Sequence, residues 1–328
     1  MTVAEILARF PRMSALVVGD VCLDRWCTYD PAAEEPSRET GIPRIAVVRT
    51  EVTPGAAGTV AGNLAALGVG RVAVLGAIGD DGFGVELERA LGGRGIASDL
   101  CVRSRALQTF TYTKVINGHT GEEDRPRLDF INTAPLETGV ERRILDNLQN
   151  AVDGFDAILV SDQAETSAGG VVTAALRGLL GELAAAYPDK VFFADSRMRI
   201  ELFRRLVLKP NRQEAEAACL KVLGRIDYPG LLRHTESNLL MVTCAGEGVL
   251  VVDGDGERRV SARPEPHPVD ICGAGDSFSA GAAMSLAAGC PPEMAARLGN
   301  LVASVTIMKR GTGTASPAEV LAAEARAR

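Results

Sequence analysis

The chain has 328 residues, which is enough for one large α/β domain or two small ones. Its 46% hydrophobic content supports a sizeable core, and its formal net charge of -7 argues against nucleic acid or an anionic membrane surface as a partner. The seven cysteines form no Cys-x-x-Cys pair, no apolar run reaches about 18 residues, and no signal-peptide pattern opens the sequence. These features predict a cytoplasmic protein with reduced thiols.

Short β-rich runs alternate with longer helical patterns along the chain. The predicted buried strands are 15–20, 71–78, 156–162, 190–196 and 239–246, and the helical patterns cover 59–67, 84–95 and 170–187. Nearly continuous apolar strands that alternate with helices predict an α/β fold with a doubly wound, mostly parallel sheet and helices on both faces. Several strands end in Asp, Ser or Gly, so we expect ligands at the carboxyl edge of this sheet.

Two segments interrupt this alternation. Residues 25–50 are polar and rich in proline before a strand-like run, and residues 108–131 contain the alternating QTFTYTKVI. They predict either a small accessory sheet, which would serve as a lid or a dimer surface, or ordinary edge hairpins. No repeat or long linker divides the sequence, so residues 1–328 are predicted to form a single domain into which these excursions are inserted.

Several catalytic classes are excluded or disfavoured by their motifs. The sequence lacks G-x-x-x-x-G-K-[ST], and the dinucleotide-like GVGRVA at 68–73 precedes its strand instead of following one. The three histidines form no zinc-binding pattern. A serine hydrolase with Ser277 as nucleophile is disfavoured because no G-x-S-x-G elbow surrounds that serine.

The stretch DICGAGDSFSAG at 270–281 is the strongest candidate for an anion site. Its glycines let the backbone approach a ligand closely, and the N–H groups of Ala274, Gly275 and Asp276 would lie at the positive end of a helix. Such a helix end suits the charge on a transferring phosphoryl group. Asp276 is then either a base that takes a proton from an attacking hydroxyl or an N-terminal helix cap, and the stretch alone leaves both open.

This stretch resembles the D-T-x-G-A-G-D-x-F signature of the ribokinase-like carbohydrate kinases, the pfkB family. Further matches follow in the family order: VVGDVCLD (17–24), PGAAGTVAGNLAALG (54–68), GAIGDDGFG (76–84), KPNRQEA (209–215), TCAGEG (243–248) and KRGTGTASP (309–317). The last of these, with RLDF (127–130), is most similar to the D-glycero-heptose-7-phosphate kinase branch. The resemblance implies a ribokinase-like fold with a small β lid and ATP-dependent, Mg²⁺-requiring phosphorylation of a hydroxyl on a sugar or sugar phosphate.

The resemblance also implies roles for individual residues at the reacting end of the site. Asp276 would be the catalytic base, and Gly273, Ala274 and Gly275 would form the anion hole. The sugar-binding positions would be Asp24, placed at the end of the first strand, together with Gly55, Ala56 and Thr59. A loop-entry turn is the alternative role for Asp24.

At the nucleotide end, the resemblance implies that Asn211 and Glu214 organise Mg²⁺ and its waters. A capped helix start is the alternative for this pair. Thr243 and Gly248 would line the phosphates and ribose of ATP, and Asn300 would lie near adenine. Family habit further implies a homodimer through the lids and, in some members, K⁺ near the carbonyl groups of Asp270 and Cys272.

Three positions depart from the family pattern at the acceptor end. Ala56 replaces the second glycine and Thr59 the asparagine of P-G-G-x-x-N, and Glu165 stands where heptose kinases have a lysine. A carboxylate there would repel a phosphorylated acceptor, unless Arg197 and Arg199 restore positive charge; a solvated face is the alternative for these arginines. A non-catalytic sugar-binding or regulatory protein and a nucleoside kinase therefore stay open as alternatives.

Overall fold

The computed structural model describes residues 1–166, 168–263, 265 and 267–327. Its strands are β1 (Ser14–Gly19), β2 (Val21–Tyr29), β3 (Val47–Ala56), β4 (Arg71–Leu75), β5 (Ala77–Gly79), β6 (Val102–Ser104), β7 (Thr111–Asn117), β8 (Leu128–Phe130), β9 (Ala157–Asp162), β10 (Val191–Ser196), β11 (Val207–Leu208), β12 (Leu239–Thr243), β13 (Val249–Asp253) and β14 (Gly256–Val260). Its helices are α1 (Val3–Leu7), α2 (Ala57–Ala66), α3 (Gly82–Gly92), α4 (Thr138–Ala151), α5 (Ala174–Ala186), α6 (Arg212–Leu223), α7 (Tyr228–His234), α8 (Ala274–Ala287), α9 (Pro292–Thr306) and α10 (Pro317–Ala327). Within these described ranges, none of the helices combines the length and the apolar character needed to cross a membrane.

Eight strands form the central sheet, in the order β14-β13-β12-β11-β10-β9-β1-β4. The six strands from β12 to β4 in this order are parallel, and β13 and β14 are antiparallel at one edge. The predicted doubly wound, mostly parallel sheet is confirmed.

Alternate side chains of the central strands pack into two apolar layers on opposite faces of the sheet. In β1, Val17 packs in the layer that contains α2, α8 and α9, whereas Leu16 and Val18 pack in the layer that contains α4 and α5. Successive side chains of a strand point to opposite faces, so a strand covered by helices on both sides must be apolar throughout. This is why these strands are continuous apolar runs in the sequence.

A second sheet, in the order β3-β2-β7-β8, forms the lid. Strand β2 pairs antiparallel with β3 and parallel with β7, and β7 pairs antiparallel with β8. Because β2 and β7 are far apart in the sequence, the two excursions build one sheet and are not separate edge hairpins. The lid begins at Val21, directly after β1, and so starts earlier than residue 25.

Candidate active site

A cavity of about 260 Å³ lies between the lid and the carboxyl edge of the central sheet. The residues that line it include five positions predicted from the sequence, namely Asp24, Ala56, Thr59, Gly273 and Asp276. Another cavity of about 400 Å³ lies at the amino edge, beside Val191 and Val207, and contains none of the predicted residues. The cavity under the lid is therefore the candidate active site.

Asp276 lies in the first turn of α8 and faces this cavity. The helix begins after Gly273, whose φ of 77° is in the left-handed region that favours glycine, and no side chain caps it. Among the described residues, the Asp276 carboxylate has no hydrogen-bond partner. The helix-cap alternative is therefore wrong, and the carboxylate is available to a ligand.

The surroundings of Asp276 suit a proton acceptor that works near neutral pH. Burial raises the pKa of Asp276 to about 7, and the neighbouring carboxylates of Asp195 and Asp24 raise it as well. The cations of Lys209 and Arg197 act in the opposite direction. A base with a pKa near the working pH combines a populated ionised form with useful basicity.

The start of α8 offers part of the predicted anion hole. Within the described residues, the backbone N–H groups of Gly275 and Asp276 have no acceptor, as expected for the first turn of a helix. The N–H of Ala274 differs from the prediction, because it donates to the carbonyl of Ile271 at 3.2 Å. Gly273 is packed closely, since an added Cβ would lie 3.3 Å from the methyl carbons of both Thr59 and Thr312. The N–H of Gly273 also has no acceptor among the described residues, so the structure leaves Gly273, Gly275 and Asp276 as the available N–H donors.

Asp24 reaches the cavity from the lid and not from the end of the first strand, which corrects the sequence prediction. Strand β1 ends at Gly19, the chain continues into β2 at Val21, and Asp24 is the fourth residue of β2. Burial raises the pKa of Asp24 to about 6, against the lowering effect of Lys114 and Arg127. A turn role at a loop entry is excluded, because Asp24 is paired within the lid sheet.

Gly55 makes room for the Asp24 carboxylate. A Cβ at Gly55 would lie 2.6 Å from Asp24 Oδ1, which no real contact allows, and Gly55 is absent from the cavity wall. Thr59 reaches the cavity, but its hydroxyl donates to the carbonyl of Pro54 at 3.3 Å. Of the predicted acceptor positions, Asp24 therefore carries the strongest polar group that faces the cavity.

Glu165 and Arg197 also line the cavity, and they form an ion pair with each other. Arg199 differs, since it is mostly buried and its Nη1 lies 3.1 Å from Asp162 Oδ1. Arg199 also donates to the carbonyl of Ala164. Arg197 therefore offsets the negative charge of Glu165 at the cavity, whereas Arg199 ties together the segments that follow β9 and β10.

The predicted nucleotide and metal positions lie outside the cavity wall and form a group of three and a pair. Asn211 Oδ1 accepts the N–H of Glu214 at 2.9 Å, and Glu214 Oε2 accepts the N–H of Asn211 at 2.7 Å, so the capped helix start is confirmed. Thr243 pairs with Asn211 through the backbone and donates its N–H to Pro210. Asn211, Glu214 and Thr243 are thus brought together at the carboxyl ends of β11 and β12.

Gly248 and Asn300 meet at Val260. A Cβ at Gly248 would lie 2.2 Å from the carbonyl oxygen of Val260, and Asn300 Nδ2 donates to that oxygen at 3.3 Å. The Gly248 N–H also closes a turn by donating to Ala245. Gly248 and Asn300 thus lie together as predicted residues of the nucleotide end, and the Asn300 amide is already engaged with Val260.

The described residues contain no group of three or more His, Cys, Asp or Glu side chains that could hold a metal ion. Glu214 nevertheless offers an oxygen, because only Oε2 is used by the capping box. Burial and the Asp195 carboxylate raise its pKa. A single available carboxylate fits Mg²⁺ bound through waters and phosphate oxygens, as this cation retains much of its hydration.

Two features of the site were missed at the sequence level. The first is a group of lid side chains that line the cavity: Tyr112, Lys114 and Arg127. Tyr112 and Lys114 are two residues apart on β7, so the alternation of QTFTYTKVI already places them on one face of a strand. That pattern could have identified both residues.

The second missed feature is a buried ion pair beneath the first turn of α8. Lys209 Nζ lies 2.5 Å from Asp195 Oδ2, and the two side chains are 5% and 10% exposed. The Lys209 backbone N–H donates to Ala194 at 2.8 Å, and a Cβ at Gly275 would lie 3.1 Å from Nζ. The pair therefore supports the helix turn that carries Asp276.

The doubly wound sheet, with a lid over the carboxylate of an aspartate at the start of a helix, is typical of α/β kinases that act on small molecules. Residues 15–150 and 200–319 match the model of the pfkB family of carbohydrate kinases, and the chain belongs to this family. Membership confirms the predicted class, a carbohydrate kinase of the pfkB family.

The relatives of the chain agree with this assignment. The chain is 33% identical over 340 residues to the "Bifunctional protein HldE" of Pelobacter propionicus, and the match covers 99% of the chain and 66% of the relative. The chain therefore spans slightly less than two thirds of the length of that protein.

Two solved structures share the fold. Ribokinase from Thermotoga maritima superposes with a TM-score of 0.71 at 20% identity, covering 95% of this chain and 99% of that one. Phosphofructokinase-2 from Escherichia coli, solved in complex with potassium, gives 0.73 at 18% identity, covering 96% and 100%. The predicted ribokinase-like fold is confirmed.

Proposed function

We propose that the protein transfers the γ-phosphoryl group of ATP to a hydroxyl group of a sugar phosphate, with Asp276 as the general base. The observation that carries this proposal is the position of Asp276, which faces the cavity without a hydrogen-bond partner in the described chain and has a pKa of about 7. The unpaired N–H groups of Gly275 and Asp276 adjoin it. A proton acceptor and an anion site thus lie side by side.

Cationic side chains of the lid favour a phosphorylated acceptor. Lys114 and Arg127 line the cavity and lower the pKa of Asp24, so positive charge lies next to the carboxylate proposed to bind the sugar hydroxyls. The cavity volume of about 260 Å³ is below the range of about 300–1,000 Å³ typical of drug-sized ligands, which favours a single small sugar. Similarity to the heptose-7-phosphate kinase branch around residues 127–130 and 309–317 points to the same acceptor class.

The nucleotide would extend from the start of α8 towards Asn211, Thr243, Gly248 and Asn300. Glu214 would hold Mg²⁺ through water, and the ion would neutralise charge on the phosphate oxygens of ATP. The carbonyl groups of Asp270 and Cys272 are the proposed position for K⁺. Its use is a separate proposal that rests on family resemblance.

In the proposed reaction, Asp276 takes up the proton that is released, and each bond that forms is matched by one that breaks. The acceptor hydroxyl gives its proton to Asp276 as its oxygen forms a bond to the γ-phosphorus, and the bond from that phosphorus to the β-phosphate oxygen breaks to release ADP. The N–H groups of Gly275 and Asp276 stabilise negative charge on the transferring group. A buried carboxylate with a raised pKa is stronger as a base than an ordinary exposed aspartate.

ADP release with Mg-ATP across a panel of sugars, sugar phosphates and nucleosides tests the proposal. Asp276→Asn should lower kcat by about 100- to 10,000-fold without loss of the fold, because the amide cannot accept the proton. The matched control is Asp146→Asn, an exposed aspartate on α4, which should react at the wild-type rate. Turnover that survives Asp276→Asn would contradict the assignment of the base. Saturable sugar binding without turnover would favour the binding-protein alternative.

A homodimer through the lids is the proposed assembly. Three large apolar side chains of the lid strands are 47%, 65% and 57% exposed, namely Val47, Val48 and Leu128. Apolar side chains grouped on an accessory sheet are typical of an interaction surface.

A further inference from the structure

Arg197 lies where the acceptor end of the site meets the nucleotide end. It follows β10 directly, its backbone N–H donates to the carbonyl of Asp162 at 3.1 Å, and its side chain lines the cavity with Asp276. The guanidinium is paired with Glu165, and the two side chains are 51% and 65% exposed. The backbone of Arg197 is fixed, whereas its side chain is held, among the described residues, by this exposed ion pair.

The guanidinium of Arg197 acts electrostatically on carboxylates at two helix starts. Arg197 lowers the pKa of Asp276 on α8 and also that of Glu214 on α6. These carboxylates flank the proposed course of the ATP phosphates, and the acidic groups that face them include Asp195 and Asp24. A cation that acts on both helix starts lies close to the expected position of the γ-phosphoryl group.

Lid cations occupy the other end of the cavity. Lys114 and Arg127 line the cavity and lower the pKa of Asp24, whereas the main cations that act on Asp276 and Glu214 are Lys209 and Arg197. The cavity therefore has cationic side chains at two centres, each paired with carboxylates: Lys114 with Glu123 and Arg127 with Asp129 at the lid centre, and Arg197 with Glu165 at the other. The lid centre suits the phosphate of the acceptor, which leaves Arg197 for the phosphoryl group in transfer.

We propose that Arg197 is a catalytic residue that binds the γ-phosphoryl group, and that Glu165 holds its guanidinium at the edge of the cavity until a nucleotide enters. This inference rests on the proposed function. A planar guanidinium can donate two parallel hydrogen bonds to a phosphoryl oxygen pair. As the bond from the γ-phosphorus to the ADP oxygen breaks and the bond to the acceptor oxygen forms, Arg197 would stabilise the charge on the equatorial oxygens while Asp276 takes the proton.

Steady-state kinetics of Arg197→Met, Arg197→Lys and Glu165→Gln with Mg-ATP and a phosphorylated acceptor test the inference. Arg197→Met should lower kcat about 100-fold and leave the KM of the acceptor within about threefold of wild type, and Arg197→Lys should retain part of the rate. Glu165→Gln removes the partner of the guanidinium but not the guanidinium itself, so it should lower kcat less than Arg197→Met does. A loss in KM of the acceptor alone would assign Arg197 to the acceptor phosphate and overturn the proposal.

The matched control is Arg205→Met. Arg205 pairs with Glu236 at similar exposures of 48% and 55%, but it precedes β11 and lies at the amino edge of the sheet. Loss of that pair should leave kcat and KM unchanged. Both arginine variants should unfold at the wild-type temperature, because exposed ion pairs stabilise little.

A binding measurement needs no acceptor. Wild-type protein should bind Mg-ADP with beryllium fluoride, which mimics the γ-phosphoryl group, about tenfold more tightly than Mg-ADP alone, and Arg197→Met should abolish that gain while binding Mg-ADP normally. Equal gains in the wild type and the variant would overturn the role of Arg197. If no acceptor turns over but the gain depends on Arg197, the proposed function fails and the assignment of Arg197 to the γ-phosphoryl position stands.

Discussion

The side chain of Asp276 should set the pH at which the reaction runs. Its pKa is raised to about 7 by burial and by the carboxylates of Asp195 and Asp24, so the ionised base is depleted at acidic pH. If it is the base, kcat/KM should fall about tenfold for each pH unit below 7 and level off above that value. Steady-state rates at limiting acceptor from pH 5.5 to 8.5 measure this profile.

A second ionisation could alter the acidic side of that profile. The pKa of Asp24 is raised to about 6, and its protonation would weaken sugar binding. Asp24→Asn should therefore raise the KM of the acceptor. It should also move the limb that belongs to Asp276 to a lower pH without removing it, because the Asp24 carboxylate helps to raise the pKa of Asp276. A profile that is flat between pH 5.5 and 8.5, or a limb near pH 7 that disappears with Asp24→Asn, would contradict the assignment.

At the scale of elements, the Lys209 and Asp195 pair links β10 and β11 to the start of α8. Its partners lie 2.5 Å apart and are nearly buried. Lys209→Met would leave the Asp195 carboxylate buried without its cation, so we expect it to lower the free energy of unfolding by about 3–5 kcal/mol. The double variant Asp195→Asn, Lys209→Met removes both charges and should recover most of that loss.

Urea unfolding of the wild type, both single variants and the double variant measures this coupling. Arg205→Met, which breaks an exposed pair, serves as the control and should cost less than about 1 kcal/mol. A double variant that is as unstable as Lys209→Met would show that Lys209 stabilises the structure through packing and not through its charge.

Much of the element order could be predicted because buried strands appear as continuous apolar runs in the sequence. The parallel strands are apolar on both faces, and each run from 15–20 to 239–246 contains a strand of the central sheet. The helix predicted over 170–187 begins only at Ala174, since the Thr173 hydroxyl accepts the N–H of Leu176 at 3.2 Å and caps it. The lid pairing of β2 with β7 could not be predicted, because local alternation identifies a strand but not its partner.

The site was predictable where its chemistry lies in one local motif. The stretch 270–281 places Asp276 at a helix start from sequence alone. Arg197 and Arg199 could not be distinguished, because the course of the loop after β10 sends one to the cavity and the other to Asp162. The predicted role of Ala274 in the anion hole is wrong for a similar reason. Its N–H donates to the carbonyl of Ile271 in a turn that no motif describes.

At the scale of the whole molecule, the lid sheet exposes large apolar side chains, and dimerisation through them is the remaining prediction. Val48 and Leu128 are 65% and 57% exposed. If they are buried between two lids, Val48→Lys and Leu128→Lys should each weaken the dimer at least about tenfold, because a charge would lose its hydration there. Sedimentation equilibrium should give twice 34.5 kDa for the wild type. The control is Leu220→Lys on α6. Leu220 is 54% exposed, which is comparable with the lid residues, and this variant should remain dimeric. A monomeric wild type, or lid variants that dimerise normally, would contradict the lid interface.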